Sequence, residues 1–98
     1  MASGDSRLFQ GAYAGTGAGL SITTPGFQPR FLIIINQDDA SAALHFGGMP
    51  ADSCLLIKGG ATTFVSSGAV TLTTQGFDLG TNADLNTADE TLYFIAGS

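Results

Sequence analysis

Cys54 and His45 are the only thiol and the only imidazole in the sequence. A thiol becomes a nucleophile when a neighbouring base takes its proton, and an imidazole is the usual base. Cys54, however, begins an apolar segment, which is typical of a buried structural cysteine. No spacing joins His45 to a nucleophilic serine and an orienting acid as a catalytic triad requires. The sequence therefore predicts no catalytic site and no enzyme.

His45 is also a weak candidate for a metal ligand. It stands between Leu44 and Phe46 on a predicted strand, so its side chain points away from both of theirs. A metal ion would need further ligands, and the neighbouring segment offers none. We expect His45 to be either an exposed strand residue or a buried, hydrogen-bonded one.

Acidic and amide side chains are concentrated in residues 84–90, DLNTADE. Their oxygens are ligands that Ca²⁺ accepts, but the EF-hand pattern fails, since Asp89 stands where glycine is needed and Ile95 where glutamate is needed. The same side chains readily bond the nearby backbone in Asx and threonine turns. We expect a self-supporting turn with no metal and no cofactor, and an irregular calcium loop is the alternative.

Residues 14–19, AGTGAG, form a glycine-rich segment. Gly15, Gly17 and Gly19 do not match the dinucleotide-binding spacing, and no helical pattern follows that would direct its N-terminus at a phosphate. The segment is predicted to be a turn that uses the conformational freedom of glycine.

The composition indicates one β-rich domain that assembles with others. The 98 residues are 44% hydrophobic but only 11% charged, with a net charge of -5. An acidic chain without a basic patch is not expected to bind nucleic acid. Protein interfaces are depleted in charge, so we expect a homo-oligomer. A monomer with a surface of threonine and serine is the alternative.

The domain is predicted to occupy residues 7–98, preceded by a flexible N-terminal arm over residues 1–6, which are small and polar. No apolar run typical of a signal peptide opens the sequence. The longest apolar runs, residues 31–35 and 92–96, are too short to cross a bilayer. We expect no membrane partner and folding in the cytoplasm of the producing cell.

The fold class predicted from these patterns is all-β, a compact antiparallel β-sandwich of eight or nine short strands without significant helix. A jelly-roll variant is left open. Residues 31–35 and 92–95 are apolar in every position, which predicts strands buried on both faces. Residues 61–66 and 69–74 are predicted to form a hairpin around Ser67-Gly68.

Two segments fifty residues apart resemble each other. Each has a branched residue, two threonines and a turn that ends in Gly-Phe, at Gly26-Phe27 and at Gly76-Phe77. We expect each phenylalanine to plug one end of the core. Duplication and convergence on a favourable strand-end turn explain the similarity equally well.

Three motifs together carry a family resemblance. They are Gly-x-Tyr-x-Gly-x-Gly at residues 11–17, Thr-Pro-Gly-Phe-x-Pro-x-Phe-Leu-Ile-Ile at residues 24–34, and Gly-Phe-x-Leu-Gly-Thr-x-Ala-x-Leu-Asn at residues 76–86, followed by an aromatic strand. This pattern resembles a β-rich module of tailed-bacteriophage virion proteins. The positions that carry most of the resemblance are Gly26, Phe27, Pro29, Gly76, Phe77, Asn86 and Tyr93.

The resemblance implies a structural virion protein. In longer phage proteins the module looks like part of a tail or fibre, whereas a short single copy is similar to head proteins that decorate and cement capsids. The expected role is to stabilise the head by bridging capsomers on the capsid surface. The expected partners are the major capsid protein and further copies of the chain, with a trimer at local three-fold points as one symmetry. The alternative is a tail-tip or fibre module that binds host carbohydrate or protein through residues 80–90 and 14–19.

Overall fold

The computed structural model describes residues 7–82 and 84–98, and all regular structure in them is β-strand. The prediction of a compact antiparallel all-β fold of eight or nine short strands is confirmed, with eight strands. The predicted arm over residues 1–6 lies outside the described residues. The strands are β1 (Leu8–Ala14), β2 (Leu20–Ile22), β3 (Phe31–Asn36), β4 (Ser41–Phe46), β5 (Ser53–Lys58), β6 (Ala61–Leu72), β7 (Phe77–Leu79) and β8 (Thr91–Gly97).

All eight strands belong to one sheet, in the order β1-β8-β3-β4-β5-β6-β7-β2, with antiparallel neighbours throughout. The first two strands of the sequence are therefore the two edges of the sheet. Only residues 15–19 connect them, and so short a segment spans at most about 20 Å. The sheet consequently curls on itself until it is nearly closed.

The inner side of the curled sheet holds the core. Strands β3 and β8 lie side by side, and their alternate residues point inward, where Leu32, Leu92 and Phe94 are buried. Phe77 is fully buried, and its ring centroid lies 5.0 Å from that of Phe94 and 6.3 Å from that of Tyr13. Edge-to-face packing of this kind adds to the stabilisation that burial of the rings provides.

The expectation that residues 31–35 and 92–95 are buried on both faces is wrong. Ile35 is 50% exposed and Tyr93 is 45% exposed, and these two residues are direct cross-strand partners on the outer side of the sheet. The core is formed by the curled sheet itself, and no second layer of described residues covers its outer side. An apolar pattern on both faces here does not correspond to burial on both faces.

The predicted hairpin around Gly68 is also wrong, because β6 is one continuous strand across it. The register with β5 shifts there, since Ser53 pairs with Val70 but Cys54 pairs with Val65. Asp52 holds the extra residues in place, because its carboxylate accepts a hydrogen bond from the Gly68 nitrogen at 3.0 Å. With a φ of 73°, Gly68 forms a bulge rather than a hairpin turn.

The two similar Gly-Phe segments pack against each other. Ile22 of β2 pairs with Phe77 of β7, and the Gly26 nitrogen donates a hydrogen bond to the Gln75 carbonyl at 2.9 Å. A Cβ at Gly76 would lie 2.0 Å from the Ile22 carbonyl oxygen, so this contact requires glycine. The expectation that Phe27 plugs the core is wrong, since Phe27 is only half-buried and lines a surface cleft.

Candidate interaction surface

The outer face of the sheet is a candidate interaction surface. We define the outer face as the outward-pointing side chains of β1, β8, β3, β4, β5 and the first half of β6. Cross-strand pairing places them on one side of the sheet. They are Leu8, Gln10, Ala12, Ala14, Phe31, Ile33, Ile35, Ala42, Leu44, Phe46, Leu55, Ile57, Thr62, Phe64, Thr91, Tyr93 and Ile95.

The outer face is apolar and bears no charged side chain. Six of its large residues are 42–69% exposed. If each exposes on the order of 100 Å², the patch reaches roughly 600 Å², the upper end of what a monomer normally leaves uncovered. A patch of this size and composition is typical of a protein interface.

A groove crosses one end of the outer face. Ile35 lies between its cross-strand partners Ala42 and Tyr93, and the groove beside them has a volume of about 580 Å³. Ala40 and Ser41 complete its wall with small side chains. Large apolar residues, in contrast, project at the other end of the face, where Phe46 is 47% exposed.

Residues 14–19 and 80–90, which sequence analysis considers as recognition loops, are hydrogen-bonded to each other. Asn86, in the second of these loops, is buried. Its side-chain oxygen accepts from the Thr16 nitrogen at 2.7 Å, and its amide donates to the carbonyls of Ala18 and Gly80. We call this arrangement the Asn86 clasp. Its amide group is fully used within the fold.

Further contacts secure the same two loops. The Tyr13 hydroxyl donates to the Leu85 carbonyl at 2.7 Å, and burial raises the pKa of Tyr13 above its usual value. The Gly15 nitrogen donates to the Glu90 carbonyl at 2.8 Å. A Cβ at Gly15 would lie 2.0 Å from the Thr87 carbonyl oxygen, so the backbones approach as closely as only glycine allows.

Acidic residues collect at the end of the sheet that bears the groove. The Asn36 side chain donates to Asp39 and Glu90, each at 3.1 Å. Lys58 lies 2.7 Å from the Asp84 carboxylate, and this hydrogen bond and charge raise the pKa of Lys58. Within residues 7–82 and 84–98, no group of three or more histidine, cysteine or acidic side chains is placed to hold a metal ion.

His45 and Cys54 are both buried side chains that contact the fold around them. His45 is buried, and its Nδ1 lies 2.7 Å from the Ser53 carbonyl oxygen, which can only accept, so Nδ1 carries the hydrogen. Cys54 is buried in the core. Burial, and secondarily the negative charge of Asp84, raise the pKa of its thiol to about 11. A thiol in this state is a poor nucleophile at neutral pH.

A second cavity, which we call the basic cleft, lies at the other end of the sheet and has a volume of about 670 Å³. Arg7 and Arg30 line it together with Phe27 and His45. Neither arginine has an ion-pair partner among the described residues. In a chain of net charge -5, two of the three cations thus converge on one cleft.

The structure brings some of the resemblance positions together and separates others. Gly26 and Gly76 lie in adjacent turns, Pro29 and Phe77 are buried, and Asn86 forms the clasp. Tyr93, in contrast, belongs to the outer face. Neither the basic cleft nor the outer face was predicted as a site from the sequence. The sequence feature that could have indicated the outer face is that both sides of β3 are apolar and uncharged.

No protein-family model matches this chain, and comparisons with curated proteins and with solved structures find no significant match. None of the described residues belongs to a helix long and apolar enough to span a membrane. The resemblance to phage virion proteins therefore depends on the three sequence motifs alone.

Proposed function

We propose that this chain is a structural assembly protein whose outer face is covered by neighbouring subunits. The observation that carries the proposal is the size of the charge-free apolar patch, on which Ile35, Phe46 and Tyr93 are each about half exposed. A patch at the upper end of what monomers leave uncovered often marks an interaction site, and buried interface cores have the same depletion of charge.

The specific role that we propose is capsid decoration in a tailed bacteriophage. The three sequence motifs support this setting, and the apolar outer face supports a role in assembly. A decoration protein stabilises the shell by burying surface across capsomer junctions. Its partners would be the major capsid protein and further copies of this chain, and its location the capsid surface of the virion.

A role without catalysis is supported by the surroundings of His45 and Cys54. The imidazole Nδ1 is committed to a backbone carbonyl, and the thiol is buried with a raised pKa. The thiol is therefore a poor nucleophile at neutral pH, and among the described residues no hydroxyl or carboxylate is hydrogen-bonded to the imidazole as a catalytic triad would require.

A tail-tip or fibre module that binds host carbohydrate or protein is the alternative function. Exposed Tyr93 beside the groove is the feature that favours it, because an aromatic ring can stack on a sugar. The two loops first considered for recognition favour it less, because the Asn86 clasp ties them to each other.

The copy number of this chain per purified virion tests the proposal. Quantitative mass spectrometry would compare it with the major capsid protein, and a tail protein of known copy number would serve as the internal control. We expect copies comparable to the major capsid protein. A handful of copies would favour the tail module instead, and absence from the virion would overturn both.

A further inference from the structure

Charge is separated between the two ends of the sheet. Arg7 and Arg30 directly precede β1 and β3, which start at the same end because both pair antiparallel with β8. They form the basic end, together with the basic cleft that they line. Asp52 precedes β5 at the same end, but it is partly buried and its carboxylate accepts a hydrogen bond from the Gly68 nitrogen. The two arginine side chains are exposed and without ion pairs among the described residues, so they are available to external carboxylates.

The opposite end is acidic. Asp38 and Asp39 follow β3, and Asp84, Asp89 and Glu90 precede β8, so that five of the eight acids of the chain lie there with Lys58. We call these residues the acidic end. The six residues of β3 separate the two ends by roughly 20 Å. The outer face lies between them.

The outer face is also uneven in shape along the same direction. Phe46 projects at the basic end, whereas the groove beside Ala42 and Tyr93 opens at the acidic end. Phe31 is the cross-strand partner of Phe46, and Ile35 is the partner of Ala42, which fixes these positions at opposite ends of β3. A projecting ring and a shallow groove are complementary in shape and in polarity.

These features distinguish between two ways of stacking one outer face on another about a two-fold axis. With strand directions parallel, the basic ends would meet each other, the acidic ends would meet each other, and the projecting rings would collide. With strand directions reversed, each basic end meets an acidic end, and each Phe46 approaches the partner's groove. Like charges in contact cost several kcal/mol, so charge selects the reversed arrangement.

We propose that two copies of this chain pack outer face to outer face about a two-fold axis, with reversed strand directions. The basic end of each copy then lies against the acidic end of the other. This inference deepens the proposed function, since it depends on the outer face being buried in an assembly. Face-to-face sheet packing with strands about 30° apart is a common arrangement.

The magnitudes are consistent with a specific dimer. Because the sheet curls, one partner can cover the central strands β8, β3, β4 and β5, whose Tyr93, Ile35, Phe46 and Ile57 expose roughly 400 Å² if each contributes on the order of 100 Å². With the charged ends added, the interface reaches the small end of the range for specific complexes. The apolar centre would supply most of the affinity. The charges at its rim would set orientation and association rate, and their effect would weaken as salt rises.

Reciprocal charge reversal tests the orientation. The full chain is expected to sediment as a dimer. The double variant Arg7→Glu with Arg30→Glu should raise the dimer dissociation constant more than about tenfold at low salt. The double variant Asp38→Lys with Asp39→Lys should have the same effect, because like charges then meet in each homodimer. An equimolar mixture of the two variants should restore dimers, since every end again faces its opposite. Unaltered dimers in both variants, or a mixture that stays monomeric, would overturn the proposal.

A substitution within the outer face separates this inference from the proposed function. Ile35→Lys should abolish the dimer while thermal unfolding shows a folded monomer, and Gln75→Lys, exposed in a turn away from the face, should dimerise normally. If the unmodified chain remains monomeric at the highest concentration reached, the dimer is wrong, even where virion copy number upholds decoration. If the chain dimerises but is absent from the virion, only the proposed function is overturned.

Discussion

The two sides of the central strands β3 and β8 have nearly the same hydrophobicity but opposite environments. On the inner side Leu32 and Leu92 are fully buried, whereas on the outer side Ile35 and Tyr93 are about half exposed. The inner side gains its cover from the curled sheet and the loops of the Asn86 clasp. The outer side has no such cover within the described chain. Similar hydrophobicity on the two sides of a strand thus corresponds to burial within the fold on one side only.

Truncation of the inner aromatic cluster should give the largest contrast between the two sides. Phe77→Ala removes a fully buried ring that packs on Tyr13 and Phe94, and it should lower the free energy of unfolding by about 3 to 5 kcal/mol. Phe64→Ala, on a ring that is 53% exposed on the outer face, is the matched control. Urea unfolding of dilute protein measures both. Equal losses would mean that the two faces do not differ as described.

The two loops that cover the inner side of the sheet should depend on the Asn86 clasp for their stability. Asn86→Ala leaves the Thr16 nitrogen and the Ala18 and Gly80 carbonyls without their partner, at a cost of about 3 kcal/mol. Asn82→Ala in the same loop removes one hydrogen bond, to the Asp84 nitrogen, and should cost about 1 kcal/mol. The same unfolding measurement applies. If Asn86→Ala lowers the free energy of unfolding no more than Asn82→Ala does, the description of the clasp is wrong.

Two glycines of one turn should respond differently to the same methyl group. Gly15→Ala would force apart the backbones of the two loops and should cost about 1 to 3 kcal/mol. At Gly19 the nearest atom to an added Cβ is 3.9 Å away, so Gly19→Ala should change stability by less than about 0.5 kcal/mol. Hydrogen exchange of residues 80–90 would report local opening in the first variant. Comparable effects at both positions would refute the close approach.

The buried thiol should give the smallest effect, seen as a dependence of stability on pH. The pKa of Cys54 rises from 9.0 to about 11 on folding, so the unfolded chain loses this proton first as pH rises. Stability should therefore fall by about 1 kcal/mol between roughly pH 9 and 10, and Cys54→Ala should lack this component. A steeper or equal decline in the variant would show that other groups are responsible.

Local patterns predicted the strands and the all-β class well, because alternation and turn residues act over a few neighbouring positions. They failed at β6, where a positive φ at Gly68 suits a hairpin turn and a bulge alike, and a contact from Asp52 decides between them. The Asn86 clasp joins residues seventy positions apart, which no local pattern encodes. The apolar composition of β3 indicated burial, but it could not indicate whether the fold or a neighbour provides it.

The position of β8 in the sheet has a consequence for how the chain acquires its structure. This last strand of the sequence lies between β1 and β3, so β1 has no neighbour and β3 pairs only with β4 until residues 91–97 have been synthesised. During that interval the edge of the FLIII run in β3 is unpaired, and such an edge promotes aggregation. Pairing between distant segments also makes folding slow. Folding of this sheet should therefore be completed late, and a nascent chain that stalls before β8 should be prone to aggregate.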